Sequence, residues 1–313
     1  DIAVEETPDF IHLDLTLSAG ENYCRVVVKG THTNVVELYI NGQPQPLSEK
    51  QNTSTQRETL PTFSLQQAYD FINRVDFNDI RFILDAARLN SALAAEGKTK
   101  KYGLNINGTF SDAVKNGLMS NDLLSKVIIN TVAASDARMG GAPVVAMSNF
   151  GSGNQGITAT MPVVVVAEHL GVDEETLARA LSLSHLTAIS IHSRYTRLSA
   201  LCAASTAAMG AAAGMAWLFT RDINTINTAI INMVSDITGM ICDGASNSCA
   251  MKVSSVVSSA FKAVLMAMQN SCAGANDGIV CADVEQTINN LCRLVIKPMT
   301  LTDKEIISIM VAK

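Results

Sequence analysis

Apolar and polar residues alternate along the first forty positions, in Ile11-His-Leu-Asp-Leu-Thr-Leu17, Tyr23-Cys-Arg-Val-Val-Val28 and Val35-Val-Glu-Leu-Tyr-Ile40, which ends at Asn41-Gly42. A period of two broken by turn residues predicts three strands joined by hairpins. So few strands bury little by themselves. They are expected either to complete a sheet whose other strands lie before Asp1 or to pack on the rest of the chain. The polar run Ser48 to Glu58 reads as a linker.

From Ser64 the period becomes helical. Ser64-Leu-Gln-Gln67 has the form of a capping box, and an amphipathic run from Ile80 to Glu96 stops at Gly97. Further helices are predicted over 120–134, 155–170, 173–187, 199–219, 223–238, 248–270, 283–294 and 302–312, with Asp173, Asp222 and Thr302 at N-cap positions. There is no strand-helix alternation and no repeat. The expected fold class is therefore α+β: a small antiparallel β segment over 1–60, the remainder of a larger N-terminal domain, then a large, nearly all-α domain over 61–313. Leu198 to Phe219 is apolar enough to resemble a membrane span, but its small residues and hydroxyls read as a buried central helix.

Composition narrows the function classes. With 313 residues, 48% of them apolar, the chain can bury a large core. A net charge of −6, scattered basic residues and only 5% aromatics argue against nucleic acid. Seven unevenly spaced cysteines do not form a secreted disulfide framework, so a cytoplasmic location is expected. No basic-then-apolar leader is present, and Asp1 reads as an internal start.

Two regions could carry chemistry. Ser135-Asp-Ala-Arg-Met-Gly-Gly leads to Ser148-Asn-Phe-Gly-Ser-Gly-Asn-Gln-Gly156 and then an apolar helix. Ser152, Gly153, Asn154 and the open N–H groups of the helix start could bind a carboxylate or phosphate, and Arg138 could pair with a carboxylate; the bland alternative is a helix-initiating turn. Asp136, Asn149 and Gln155 add to this polar cluster. His185 and His192, seven apart, suit metal or acid-base work but equally a core or capping role. His32 lies in the polar turn Gly30-Thr-His-Thr-Asn34.

The second region holds Cys202 in Arg197-Leu-Ser-Ala-Leu-Cys, and Cys242 and Cys249 in Met240-Ile-Cys-Asp-Gly-Ala-Ser-Asn-Ser-Cys249. A cysteine beside Asp-Gly, between helices, could serve a metal, act as a nucleophile or fill the core. Neither zinc spacing nor a ferredoxin run occurs. Cys24, Cys272, Cys281 and Cys292 read as core.

Taken together, Gly30-Thr-His-Thr-Asn, Phe82-Ile-Leu-Asp, Ala134-Ser-Asp-Ala-Arg-Met-Gly-Gly, Gly151-Ser-Gly-Asn-Gln-Gly-Ile-Thr-Ala-Thr-Met-Pro, Leu198-Ser-Ala-Leu-Cys and Met240-Ile-Cys-Asp-Gly-Ala-Ser-Asn-Ser-Cys-Ala-Met-Lys resemble the alpha chain of iron-sulfur L-serine dehydratases and, more closely, the L-cysteine desulfidase family. The resemblance covers nearly the whole chain. It implies a 4Fe-4S cluster on three cysteines with one iron open to an amino-acid substrate. Cys202 and Cys242 match two ligands. The desulfidases take the third from an N-terminal Gly-Cys-Thr-Glu-Pro motif that these residues lack, and Cys249 is the nearest counterpart to the third ligand of the serine dehydratases.

The implied reaction is β-elimination of L-cysteine to pyruvate, ammonia and sulfide, with L-serine dehydration by the same mechanism as the alternative. Arg138, Ser152, Gly153 and Asn154 are expected to hold the substrate carboxylate, with His32 or Lys252 as the acid or base. A homodimer that binds neither nucleic acid nor membrane is expected. Two rivals stand beside it. A pyridoxal-phosphate lyase would share the Ser152-to-Gly156 loop but needs alternating strands and helices, and a non-catalytic iron-sulfur sensor or scaffold would not need that loop.

Overall fold

A computed structural model describes residues 3–5, 7, 9, 11–30, 34–47, 62–195 and 198–313. The chain divides into two compact units, residues 1–60 with 308–313, and Pro61–Ile307. The Ser48-to-Glu58 run and His32 lie outside the described residues.

The first unit contains an antiparallel sheet of β1 (His12–Ala19), β2 (Asn22–Lys29), β3 (Val35–Ile40) and β4 (Gln43–Pro44), in sequential order. The three expected strands are present, and β4 is added because Asn41 (φ 49°) and Gly42 (φ 80°) make a tight reversal after β3. Register pairs Leu13 with Val28, Leu15 with Val26 and Leu17 with Cys24, so one face of β1 and β2 is apolar. On the other face Arg25 bridges Asp14 on β1 and Glu37 on β3.

The second unit is helical: α1 (Leu65–Arg74), α2 (Phe77–Ile80), a 3-10 turn (Arg81–Ile83), α3 (Leu84–Gly97), α4 (Ile106–Lys115), α5 (Leu123–Met139), α6 (Gly153–Leu170), α7 (Glu174–His192), α8 (Ala203–Thr220), α9 (Ile223–Ile237), α10 (Cys249–Met268) and α11 (Val284–Ile296). A last helix, α12 (Met299–Val311), runs to the C-terminal end. The α+β class holds. The Ser64 capping box closes reciprocally on Gln67, and Asp173 and Asp222 accept first-turn N–H groups as expected. Thr302 instead lies inside α12. The predicted Ile80-to-Glu96 helix is interrupted by the 3-10 turn, and α4 was not foreseen.

Helix α8 is the centre of this unit. All of its residues except Ala203, Phe219 and Thr220 are buried, among α6, α7, α9 and α10. Its small residues explain the position, because a Cβ on Gly210 would stand 2.3 Å from the Ser184 carbonyl oxygen and one on Gly214 2.9 Å from that of Ala180. The backbones of α7 and α8 are in near contact. The span-like run 198–219 is thus an extended approach followed by a core helix. Among the described residues one helix, α10, is long and apolar enough to cross a membrane, and half of its apolar window is buried.

Gly210→Ala should therefore lower stability by roughly 1–3 kcal/mol, read as a shift in the urea midpoint. Gly239→Ala, where an added Cβ meets nothing within 4 Å, is the control and should leave the midpoint in place.

Candidate functional site

The site begins where α5 ends and α6 starts. Between them Asn149 and Ser152 exchange two backbone hydrogen bonds, of 3.1 and 3.0 Å, around Phe150 (φ 49°) and Gly151 (φ 85°). Two consecutive left-handed residues make a tight primed turn that needs support when one of them is Phe. The Phe150 ring stacks on His192 at 4.4 Å, and His192 stacks in turn on Tyr195 at 4.5 Å. Ser152 caps α6 through its hydroxyl, which accepts from the Gln155 N–H at 3.3 Å.

Gly153, the first residue of α6, lies against Arg138. A Cβ there would be 2.2 Å from the guanidinium Nε, and one on Gly156 would be 1.9 Å from the Met147 carbonyl oxygen. Both glycines are thus fixed by close approach rather than by turn geometry. Arg138 is half-buried, and among the described residues no carboxylate forms an ion pair with it. Burial lowers its pKa, and the nearby Cys249 acts in the opposite direction. Its Nη1 donates to the Met139 sulfur at 2.9 Å, and the Asn154 amide donates to the same sulfur at 3.3 Å. Asn154 Oδ1 accepts from Ser135 at 3.2 Å. Two good donors, one of them charged, therefore converge on a weak thioether acceptor.

Behind this surface runs a buried polar chain. His192 Nδ1 donates to Gln155 Oε1 (2.8 Å), Gln155 Nε2 to Asn149 Oδ1 (2.8 Å), and Asn149 Nδ2 to His185 Nδ1 (3.0 Å). His185 Nε2 then donates to the Thr160 hydroxyl (3.0 Å), which donates to the Gly156 carbonyl (2.7 Å). The tautomers follow from this single direction of donation. Asn90 ties Thr160 to Met147 at the edge of the chain. His185 is fully enclosed, and burial lowers its pKa to about 4, so it is neutral near pH 7. The two histidines thus support the turn. Asp136 faces elsewhere, where Asn107 at the start of α4 donates to its carboxylate. Burial raises its pKa and those hydrogen bonds lower it, with burial prevailing.

The cysteine segments meet through a short antiparallel bridge between Leu201 and Ile241. Cys202 N–H donates to Met240 (2.9 Å) and Cys242 N–H to Ala200 (2.7 Å). Cys202 feels the charges of Cys242, Cys249 and Lys252, Lys252 feels Cys202 and Cys242, and Arg138 feels Cys249. The structure therefore gathers Arg138, Gly153 and Asn154 into one group and the three cysteines with Lys252 into another, linked through Arg138 and Cys249. Lys252 is ion-paired with Asp243. Burial opposes its charge, but Asp243, Cys202 and Cys242 outweigh that and raise its pKa, which suits a fixed cation better than a base.

The expected 4Fe-4S cluster on Cys202, Cys242 and Cys249 is corrected by this arrangement. Among the described residues no group of three or more His, Cys, Asp or Glu side chains could hold a metal ion. The surroundings of the sulfurs give the reason. Cys202 is buried, and burial pushes its thiol up to about 11, so it stays protonated. Cys249 is turned into its own loop, donating to Gly244 at 3.6 Å and accepting from Ser246 N–H at 3.4 Å. The donor set does not fit the cluster. The metal-binding role, the cysteine desulfidase reaction, L-serine dehydration by the same mechanism and the iron-sulfur sensor are withdrawn with it.

Comparison with known proteins adds the following. The family model described as serine dehydratase alpha chain matches residues 37–308. A UPF0597 protein of Klebsiella pneumoniae is 99% identical over 313 residues, all of this chain and 74% of the relative. The UPF0597 protein YhaM of Salmonella typhimurium is 52% identical over 314 residues, covering 99% of this chain and 72% of its own, and YhaM of Escherichia coli O139:H28 is 55% identical over 299 residues, covering 94% and 68%.

The neutral His185 sets a pH dependence. The unfolded chain takes up a proton near pH 6.5 and the folded chain only near 4, so stability is fully present above 6.5 and falls by roughly 3 kcal/mol as the pH drops through that window. Urea unfolding in small pH steps should show this slope, and His185→Gln should flatten it. A slope the variant leaves unchanged would show that His185 is not the group responsible.

Proposed function

The chain belongs to the serine dehydratase alpha chain family, and on that footing we propose that it is an enzyme of the lyase class that holds a small amino-acid substrate by its carboxylate. The observation that carries this reading is the convergence of the Arg138 guanidinium and the Asn154 amide on the Met139 sulfur, beside the first turn of α6. A carboxylate oxygen is a much stronger acceptor than a thioether. An anion that displaces the sulfur gains a charge-assisted hydrogen bond in a partly desolvated place.

Helix α6 adds to the attraction. No described group accepts from the backbone N–H of Gly153 or Asn154, so the first two donors of an 18-residue helix lie buried beside the guanidinium. The absence of a side chain at Gly153 lets Arg138 lie directly over that end. Ser152 sets the direction of the first turn. Lys252, kept protonated by Asp243, serves in this reading as a fixed positive charge rather than as the base.

Calorimetric titration with a panel of small L-amino acids, L-serine included, and with ethanolamine, which lacks the carboxylate, tests the proposal together with an assay for released ammonia. Amino acids should bind and ethanolamine should not. Arg138→Ala should weaken binding roughly ten- to a hundredfold, with Arg138→Lys between the two. Equal affinity for ethanolamine, or affinity indifferent to Arg138→Ala, would overturn the carboxylate site. Binding without ammonia release from any member of the panel would overturn the lyase class.

A further inference from the structure

The sheet of the first unit turns its apolar face to solvent. Its register sets three cross-strand rows, Leu13 with Val28 and Val35, Leu15 with Val26 and Leu38, and Leu17 with Cys24 and Ile40, so nine apolar side chains share one face. The opposite face carries Asp14, Thr16 and Ser18 on β1, with Asp14 paired to Arg25. An antiparallel sheet of this kind packs its apolar face and leaves the polar one in water. Here Leu13, Leu15 and Leu17 are 47, 59 and 78% exposed, and Ile40 is 47% exposed. Of the nine, Val28 alone is buried. The edge is open as well, because β1 ends the strand order and among the described residues no strand pairs with its outer side. Solitary exposed leucines are ordinary, but a contiguous apolar face beside an unpaired edge marks an interface.

The relatives are longer than this chain. Its 313 residues make up 74% of the Klebsiella pneumoniae protein at 99% identity, and the matched part of the Salmonella typhimurium protein is 72% of its length. About a quarter of each lies outside the shared part. We propose that in these longer family members the additional quarter packs an aliphatic layer on the β1–β3 face, completing a two-layer domain of which the first unit is one half. A segment of the same polypeptide reaches the face at an effective concentration that a separate copy does not have. A lipid surface fits the charge poorly, since the three strands carry only Arg25 and Lys29 as cations and Arg25 is engaged by Asp14 and Glu37. This inference stands apart from the carboxylate reading, whose residues all lie in the second unit.

The test is hydrogen exchange read by mass spectrometry on this chain and on the longer Klebsiella pneumoniae protein. Peptides of β1 and β2 should exchange at least about tenfold more slowly in the longer protein. Leu15→Glu with Leu17→Glu in the longer protein should return β1 to the rate it has in this chain. The same pair in this chain should leave its urea midpoint in place, because both side chains are already exposed. Equal exchange in the two proteins would overturn the proposal. So would a longer protein whose mass by light scattering halves on Leu17→Glu, which would put a second copy on the face, or one that binds phosphatidylglycerol vesicles and loses that binding on Leu17→Glu. If the double variant fails to fold by circular dichroism, the exchange comparison and the single Leu17→Glu variant decide.

Discussion

The near contact of the α7 and α8 backbones at Gly210 and Gly214 is the constraint from which the rest of the helical unit follows. It fixes the rotation of α7, whose Ala180, Ser184 and Ala188 face α8 while His185 and His192 turn to α6 and the residues that lead into it. It also fixes where α8 begins, and so where Cys202 and its bridge to Ile241 sit. A helix of alanine and glycine makes few large contacts per residue. Its contribution comes from density, since close-packed backbones leave no voids for α6, α9 and α10 to span.

The polar chain from His192 to Thr160 shows how the same packing handles buried polar groups. Each of its donors meets an acceptor within 3.0 Å, and His185, sealed from water, stays neutral. A buried network of this kind specifies one arrangement, because shifting any member breaks the hydrogen bonds of its neighbours in a low-dielectric interior. The surface turn at Asn149–Ser152 inherits that rigidity.

Much of the architecture was legible in the sequence. Alternation marked β1 to β3, and Asp173, Asp222 and Ser64 marked helix starts, because both signals are local. Helix α4 was hidden because its start, with Asn105 in a left-handed conformation and Asn107 and Gly108 following, reads as loop until the Asp136 carboxylate accepts its first N–H groups. Arg138, Gly153 and Asn154 were visible as a polar, glycine-rich cluster. Met139 was not, because a methionine at a helix end carries no signal of what converges on its sulfur. The cysteines show the limit most clearly. Their chain positions matched a cluster-binding pattern, but the directions of the sulfurs depend on loop hydrogen bonds at Gly244 and Ser246 that no spacing encodes.

Phe150 illustrates how a local shape is stored at a distance. A left-handed aromatic residue is unfavourable by itself, by roughly 1–2 kcal/mol, and stacking on His192 returns about 0.5–1.5 kcal/mol. The two nearly cancel, so the turn has little preference of its own and takes its form from the C-terminal end of α7. A peptide carrying only the turn and α6 would let Phe150 relax to an ordinary extended backbone, and the first turn of α6 would lose its fixed heading. The geometry that presents Gly153 and Asn154 is thus a tertiary property, held some forty residues downstream of the segment that displays it.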